Sequence, residues 1–252
     1  PFFNEKAVCE LGKNLDISKK LHKSGKEYAL KVLKRFSEIL NVSKITNLKI
    51  IATAVLREAT DTKPFIDEVE KFFRTKIEIL SGEEEATYSA EGVKIGFENV
   101  DGLVADLGGG SLELARVENN IVTNKTSLPI GVLRLLNNPI VKKRNLSKYI
   151  KKLLKEEKWL SKKKFNNLYL VGGTWRALFK LHLFQNNHPV HIIHQYSVDN
   201  NVLSKFVEKI SSFNKSKLKA VEYISKSRTP YLPYSCIILD EIMNVINPKN
   251  II

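Results

Sequence analysis

The sequence predicts an α/β fold, and three observations carry that expectation. Short apolar runs of strand length, at 49–54, 77–80, 103–105 and 168–171, alternate with longer segments whose apolar residues recur at helical spacing. A glycine-centred stretch, Asp106-Leu107-Gly108-Gly109-Gly110-Ser111, joins one apolar run to a second run with period-two alternation, as in a hairpin. Leu168 to Val171 then leads through Gly172-Gly173-Thr174 directly into a helical pattern. At 252 residues the chain can hold one large domain or two medium ones. The turn Asn99-Val100-Asp101-Gly102 marks the best boundary, giving domains over 1–101 and 102–252.

Taken in order, residues 1–15 read as irregular, with Phe2 and Phe3 as apolar anchors. Ser24 and Glu27 have the spacing of a capping box that opens a helix, and Tyr28, Val32, Phe36 and Ile39 form its apolar stripe. The buried strand Lys49–Ala54 runs into a helix carrying Arg57 near the strand end, where open α/β sheets present ligand-binding groups. A surface arginine in a first helical turn has the same spacing. Asp61 or Thr62 caps the next helix, with Pro64 in its first turn. Strand Ile77–Leu80 follows, then Ser81-Gly82-Glu83-Glu84, a second capping box. Glu84 thereby has a structural role. Glu85 heads a stripe of small residues, Ser89, Gly92 and Gly96, that leaves room for close approach, while Ala86, Ala90, Val93 and Phe97 form the core side. A carboxylate there could also serve only the helix dipole.

The stretch from Asp106 to Glu113 is the richest in chemistry. Consecutive glycines clear side chains from a turn and permit φ > 0, so backbone N–H groups can converge on an anion. A strand, rather than a helix, follows Gly110, which separates this run from P-loop and dinucleotide fingerprints. Folding about Gly109 sets Glu113 within one residue of lying opposite Asp106. Two carboxylates beside an anion site suit a Mg²⁺ ion bridging protein and phosphate oxygens; an ordinary glycine-rich turn is the alternative.

Further on, Ile121–Leu128 is a strand, Pro129 to Arg134 begins a helix near the sheet end with Arg134 positioned much like Arg57, and the basic segment 142–164 is a helix with a solvated face. Strand, diglycine, Thr174 and helix resemble a second phosphate or nucleotide cradle. His188, His191 and His194 recur every third residue, a spacing that alternates faces in an extended segment and so disfavours a shared metal. Residues 199–246 read as three helices, and 250–252 as the opening of a strand cut short.

The net charge of +14 favours a polyanionic partner, namely polyphosphate, nucleotide, nucleic acid or an acidic membrane, against the plainer reading of a lysine-coated surface. No apolar run approaches 18 residues, so no membrane span is expected. Cys9 and Cys236 lack the number for a disulfide framework and the spacing for a metal, which fits a reducing cytoplasm.

Five ordered segments together resemble the exopolyphosphatase / guanosine pentaphosphate phosphohydrolase family. They are Ala52–Ala59, Ile79–Ala86, Asp106–Glu113, Ser127–Gly131 and Val171–Leu178. The resemblance covers nearly the whole chain. It implies two ribonuclease-H-like domains of the sugar kinase, actin and heat-shock ATPase superfamily, with an interdomain cleft. It implies that Glu85 activates water, that Asp106 and Glu113 are the Mg²⁺ carboxylates, and that Gly108, Gly109, Gly110 and Ser111 bind phosphate together with Arg57. Gly172, Gly173 and Thr174 match a second, nucleotide-contacting motif. The implied substrate is inorganic polyphosphate or guanosine pentaphosphate. No membrane partner is expected, nucleic acid is disfavoured as a partner, and a homodimer is the candidate assembly. Two departures stand out: family members carry an upstream strand and DxGSNS-type loop before the segment matching Pro1–Lys6, and Leu112 replaces a common Thr. The resemblance therefore implies a first domain lacking its opening strands and a second domain incomplete at its end. A kinase or ATPase on the same fold, and a non-catalytic binder of alarmones or polyanions, are the alternatives.

Overall fold

The computed structural model describes residues 4–137, 145–162, 164–219 and 221–252. Phe2, Phe3 and residues 142–144 and 163 of the expected basic helix lie outside them. The chain packs as two compact units, Pro1–Ser81 and Gly82–Ile252.

The first unit contains α1 (Leu15–Ser18), α2 (Lys23–Val42), β1 (Ile50–Ala52), α3 (Ala54–Glu58), α4 (Lys63–Phe73) and β2 (Ile77–Ile79). β1 and β2 pair in parallel, Ile50 opposite Ile77. Leu15, Leu21, Ala29, Ala59, Phe65 and Val69 form the core between the helices. The expected strands are present but shorter than the apolar runs suggested. The Ser24–Glu27 capping box does not form. α2 starts at Lys23 with His22 at the cap position, and Ser24 Oγ lies 3.3 Å from His22 Nδ1. Thr62 does occupy the cap of α4, with Pro64 in the first turn but no side-chain capping bond. Asp61 instead accepts a 2.8 Å hydrogen bond from the Leu21 N–H.

The second unit opens with α5 (Gly82–Gly96), followed by β3 (Gly102–Leu107), β4 (Leu112–Glu118) and β5 (Ile121–Leu128). Next come α6 (Val132–Asn137), α7 (Leu146–Glu156), α8 (Lys158–Lys162), β6 (Asn167–Val171) and α9 (Gly173–Gln185). β7 (Val198–Asp199), α10 (Asn200–Ser211), α11 (Lys215–Lys219), α12 (Leu232–Ile246) and β8 (Asn250–Ile251) complete it. The six strands lie in the order β5-β4-β3-β6-β8-β7. β3, β4 and β5 form an antiparallel meander, β6 is parallel to β3, and β8 is parallel to β6. This is the ribonuclease-H-like arrangement that the resemblance implies.

Alternation along β3 divides the core. Leu103, Ala105 and Leu107 face a large cluster with Leu112, Leu114, Trp175, Leu178, Leu239 and Ile242. Val104 faces the other way, with Ala115, Val117 and Tyr169, onto Ala86 and Ala90 of α5. The helix carrying Glu85 thus packs on the sheet of the second unit, beyond the turn at 99–102 that the sequence offers as a boundary. The expected helix over 142–164 divides within the described residues into α7 and α8. The break falls at Glu157, which has φ −82° and ψ 79°.

Candidate active site

The β3–β4 hairpin fixes the first two side chains. Its register pairs Asp106 directly with Glu113, so both carboxylates leave the same face of the sheet, one strand apart. The turn between them is closed by the Gly108 N–H donating to the Ser111 carbonyl at 3.0 Å. Neither Gly108 nor Gly109 uses the left-handed region that glycine permits. What the loop needs instead is closeness. A Cβ on Gly131 would lie 2.3 Å from the carbonyl carbon and oxygen of Gly109 and 2.4 Å from the carbonyl carbon of Gly110.

Helix α6 holds the loop by its carbonyls. The Val132 N–H donates to Gly108 O at 3.2 Å, and the Leu133 and Arg134 N–H groups donate to Gly109 O at 2.9 and 3.1 Å. A trans peptide sets its C=O and N–H on opposite sides. With the Gly108 and Gly109 carbonyls turned toward α6, the N–H groups of Gly109 and Gly110 point away from it. The sequence predicts converging N–H groups; the α6 contacts that orient the Gly108 and Gly109 carbonyls are long-range ones.

Each carboxylate is held by a serine. Ser89 Oγ of α5 donates to Asp106 Oδ2 at 2.6 Å, and Ser127 Oγ of β5 donates to Glu113 Oε1 at 2.8 Å. Ser111 lies beside Glu113 and favours its charged form. Glu113 and Ser111 are buried, Glu113 only 5% exposed. Burial pushes the Glu113 carboxyl up from 4.5 to about 7, against the pull of Ser111 and Ser127 and with help from the charges of Glu85 and Asp106. Burial also raises Asp106, while Ser89 and the positive charge of Arg176 pull it back. Glu85, half-buried in the first turn of α5, is therefore near enough to oppose ionisation of Glu113. The start of α5 is set by Gly82, where a Cβ would come within 2.2 Å of Ser127 Cβ.

The second glycine motif meets the first. Gly172, at φ +115°, caps α9, and a Cβ there would lie 2.7 Å from Leu107 O and 3.3 Å from Asp106 Oδ1. Gly173 lies under the Arg228 guanidinium, where a Cβ would come 2.0 Å from Nη1. Thr174 is buried in the first turn of α9. Arg57 belongs to the first unit, where its Nη1 donates to Leu80 O at 2.5 Å. Within the second unit, then, Glu85, Asp106, Ser111, Glu113 and Gly172 come together. Ser89, Ser127, Arg176 and Arg228 are additions that the sequence reading had not assigned.

Among the described residues no three acidic, histidine or cysteine side chains converge as a metal cage. The paired carboxylates suit a hard cation that takes its other ligands from water and phosphate, the manner in which Mg²⁺ is held. The three histidines do not converge: His188 Nδ1 lies 2.7 Å from Val190 O, His191 packs on Phe184 and His194 on Phe97. No helix among the described residues is long and apolar enough to cross a membrane.

The chain is 36% identical over 134 residues to a guanosine-5'-triphosphate,3'-diphosphate pyrophosphatase from Aeromonas hydrophila, covering 53% of this chain and 27% of that protein. It is 28% identical over 263 residues to a bifunctional 3-dehydroquinate synthase/phosphatase from Fusobacterium nucleatum, covering 96% of this chain and 38% of that protein. The chain thus spans well under half the length of these curated relatives. Among solved structures, an exopolyphosphatase from Cytophaga hutchinsonii superposes with a TM-score of 0.86 at 20% identity, covering 99% of this chain and 84% of that one. A family member from Aquifex aeolicus gives 0.78 at 20% identity, covering 97% and 82%. A model of the Ppx/GppA phosphatase family matches residues 1–252. The chain belongs to the Ppx/GppA phosphatase family.

Proposed function

We propose that the protein is a Mg²⁺-dependent phosphohydrolase that releases terminal orthophosphate from inorganic polyphosphate or guanosine pentaphosphate. The observation that carries this reading is the meeting of three carboxylates with the glycine loop: Asp106 opposite Glu113, and Glu85 close enough to raise the Glu113 pKa. Names of relatives point the same way, one a pyrophosphatase of a guanosine polyphosphate and one an exopolyphosphatase.

In this reading the N–H groups of Gly109 and Gly110, with Ser111, hold the terminal phosphate, where fixed donors offset charge as the P–O bond loosens. Asp106 and Glu113 would hold Mg²⁺, which neutralises phosphate-oxygen charge when bound. Glu85 takes a proton from water as the water oxygen bonds to the terminal phosphorus. The bridging P–O bond breaks, leaving orthophosphate and a chain shorter by one unit. Arg57 is assigned phosphate contact, and Gly172, Gly173 and Thr174 contact with a further phosphate or nucleotide group, on family resemblance. The basic balance of +14 suits a polyanionic substrate.

The test is orthophosphate release from polyphosphate and from guanosine pentaphosphate, assayed separately with Mg²⁺ and with EDTA. Glu85→Gln should lower turnover by ~10²-fold or more while polyphosphate binding stays near that of the parent. Normal turnover in that variant would remove Glu85 from the mechanism.

A further inference from the structure

Between α7 and α8 the chain leaves the helical path at Glu157, with φ −82° and ψ 79°. Both carboxylate oxygens of Glu157 are engaged there. Thr126 Oγ1 of β5 donates to Oε1 at 3.0 Å, and Trp159 Nε1 donates to Oε2 at 2.9 Å. Hydrogen bonds to an ionised carboxylate are about twice as strong as neutral ones. The two helices give this carboxylate a fixed base: Leu146, Ile150, Leu154 and Leu160 are buried in the large core, and Trp159 packs against it.

β5 has no such base. It is an edge strand of the six-stranded sheet, exposed at Ile121 and at 123–125, and its register with β4 shifts at Arg116/Val117. Only its last residues are gripped from both faces. Successive side chains of a strand point to opposite faces, so Thr126 meets Glu157 on the side of the large core while Ser127 turns toward α5. Ser127 lies opposite Glu113 in the register and donates to its Oε1 at 2.8 Å. Gly82, at the start of α5, backs Ser127 so closely that a Cβ there would come 2.2 Å from Ser127 Cβ. A shift of Thr126 therefore carries Ser127 with it, either into Gly82 or away from Glu113. We infer that Glu157 is a positioning residue of the site: by tying Thr126 to the α7–α8 break it holds Ser127 on Glu113, and so holds one of the paired carboxylates in place. This role rests on the metal assignment of Asp106 and Glu113 proposed above.

Mn²⁺, which favours the same oxygen ligands as Mg²⁺, is the probe. Its binding to the full chain, without substrate, is followed by the electron paramagnetic resonance of the free ion. Ser127→Ala should weaken Mn²⁺ binding ~10–100-fold, as loss of a group that orients a ligand does. Glu157→Ala and Thr126→Val act one step further out and should each weaken it at least ~3-fold. The Mg²⁺ concentration for half-maximal orthophosphate release should rise by the same factor. Thr126→Ser keeps the hydroxyl and should bind as the parent does. Glu157→Ala and Thr126→Val combined should bind no worse than either alone, because both remove one bond. A bond that served stability alone would lower the urea midpoint of these variants and leave the Mn²⁺ affinity where it was. Circular dichroism matching the parent separates lost binding from lost folding, and if Glu157→Ala does not fold, Thr126→Val decides. Parental Mn²⁺ affinity in Thr126→Val, or multiplied losses in the double variant, overturns the positioning role and leaves the metal assignment standing. Parental affinity in Ser127→Ala overturns the metal assignment of Glu113, and the positioning role with it.

Discussion

Replacing Glu113 by glutamine keeps the shape of the side chain and removes a charge that the fold accommodates at a cost. In the unfolded chain this carboxyl releases its proton near 4.5, whereas in the fold burial holds the proton to about 7. Between those values the folded state binds more protons than the unfolded one, so stability falls as pH rises. The stabilisation is complete below 4.5 and is lost on passing 7. At ~1.4 kcal/mol per pH unit, that window amounts to ~3 kcal/mol. Asp106, raised by the same burial, adds a slope of the same sign. Glu113→Gln should therefore be more stable than the parent at pH 8, by up to ~3 kcal/mol, and equal to it near pH 4.5. Urea unfolding in EDTA from pH 5 to 8 measures the difference. Trp159 and Trp175 both lie in the unit Gly82–Ile252, so tryptophan fluorescence reports that unit alone. A variant no more stable at pH 8, with the parent's slope, would refute the assignment of a buried, proton-holding Glu113. The same variant should lose phosphate release, so a gain in stability would accompany a loss of function.

Two further outcomes follow from the site. Gly131→Ala puts a Cβ 2.3 Å from the Gly109 backbone, so the loop must shift; a loss of ~1–3 kcal/mol is expected in urea unfolding, with lower phosphate release. Parental stability and turnover would mean that the loop does not depend on this contact. Ser89→Ala removes the 2.6 Å hydrogen bond to Asp106, which favours the charged form. The cost should be ~1 kcal/mol, and the acid limb of the rate profile should move to higher pH. An unmoved limb would take Asp106 ionisation out of the rate.

The hairpin was legible because its signals are local. Alternation fixed which residues of β3 and β4 share a face, and the glycines fixed where the chain turns, so Asp106 and Glu113 could be paired to within one residue. The strand–diglycine–helix run at Val171–Thr174 was legible for the same reason. Ser89 and Ser127 were not, since their partners lie 17 and 14 residues away across separate elements. The packing of α5 was hidden differently. Its apolar stripe says that Ala86 and Ala90 are buried, but periodicity does not say against what. A Gly-containing turn at 99–102 looks the same between domains as within one. At Ser24 the capping pattern was matched by composition and overruled by the chain's entry from His22.

Gly172 shows how a motif residue can owe its identity to a neighbour. Its φ of +115° excludes most side chains, and the Leu107 carbonyl, 2.7 Å from where a Cβ would sit, excludes even alanine. Both constraints come from the crossing of the β6–α9 turn behind the end of β3, with no ligand involved. A selection scored only for folding should therefore reject substitutions at this position as firmly as one scored for turnover. Invariance of this glycine across relatives would then record architecture, and a descendant that lost all chemistry would still be obliged to keep it.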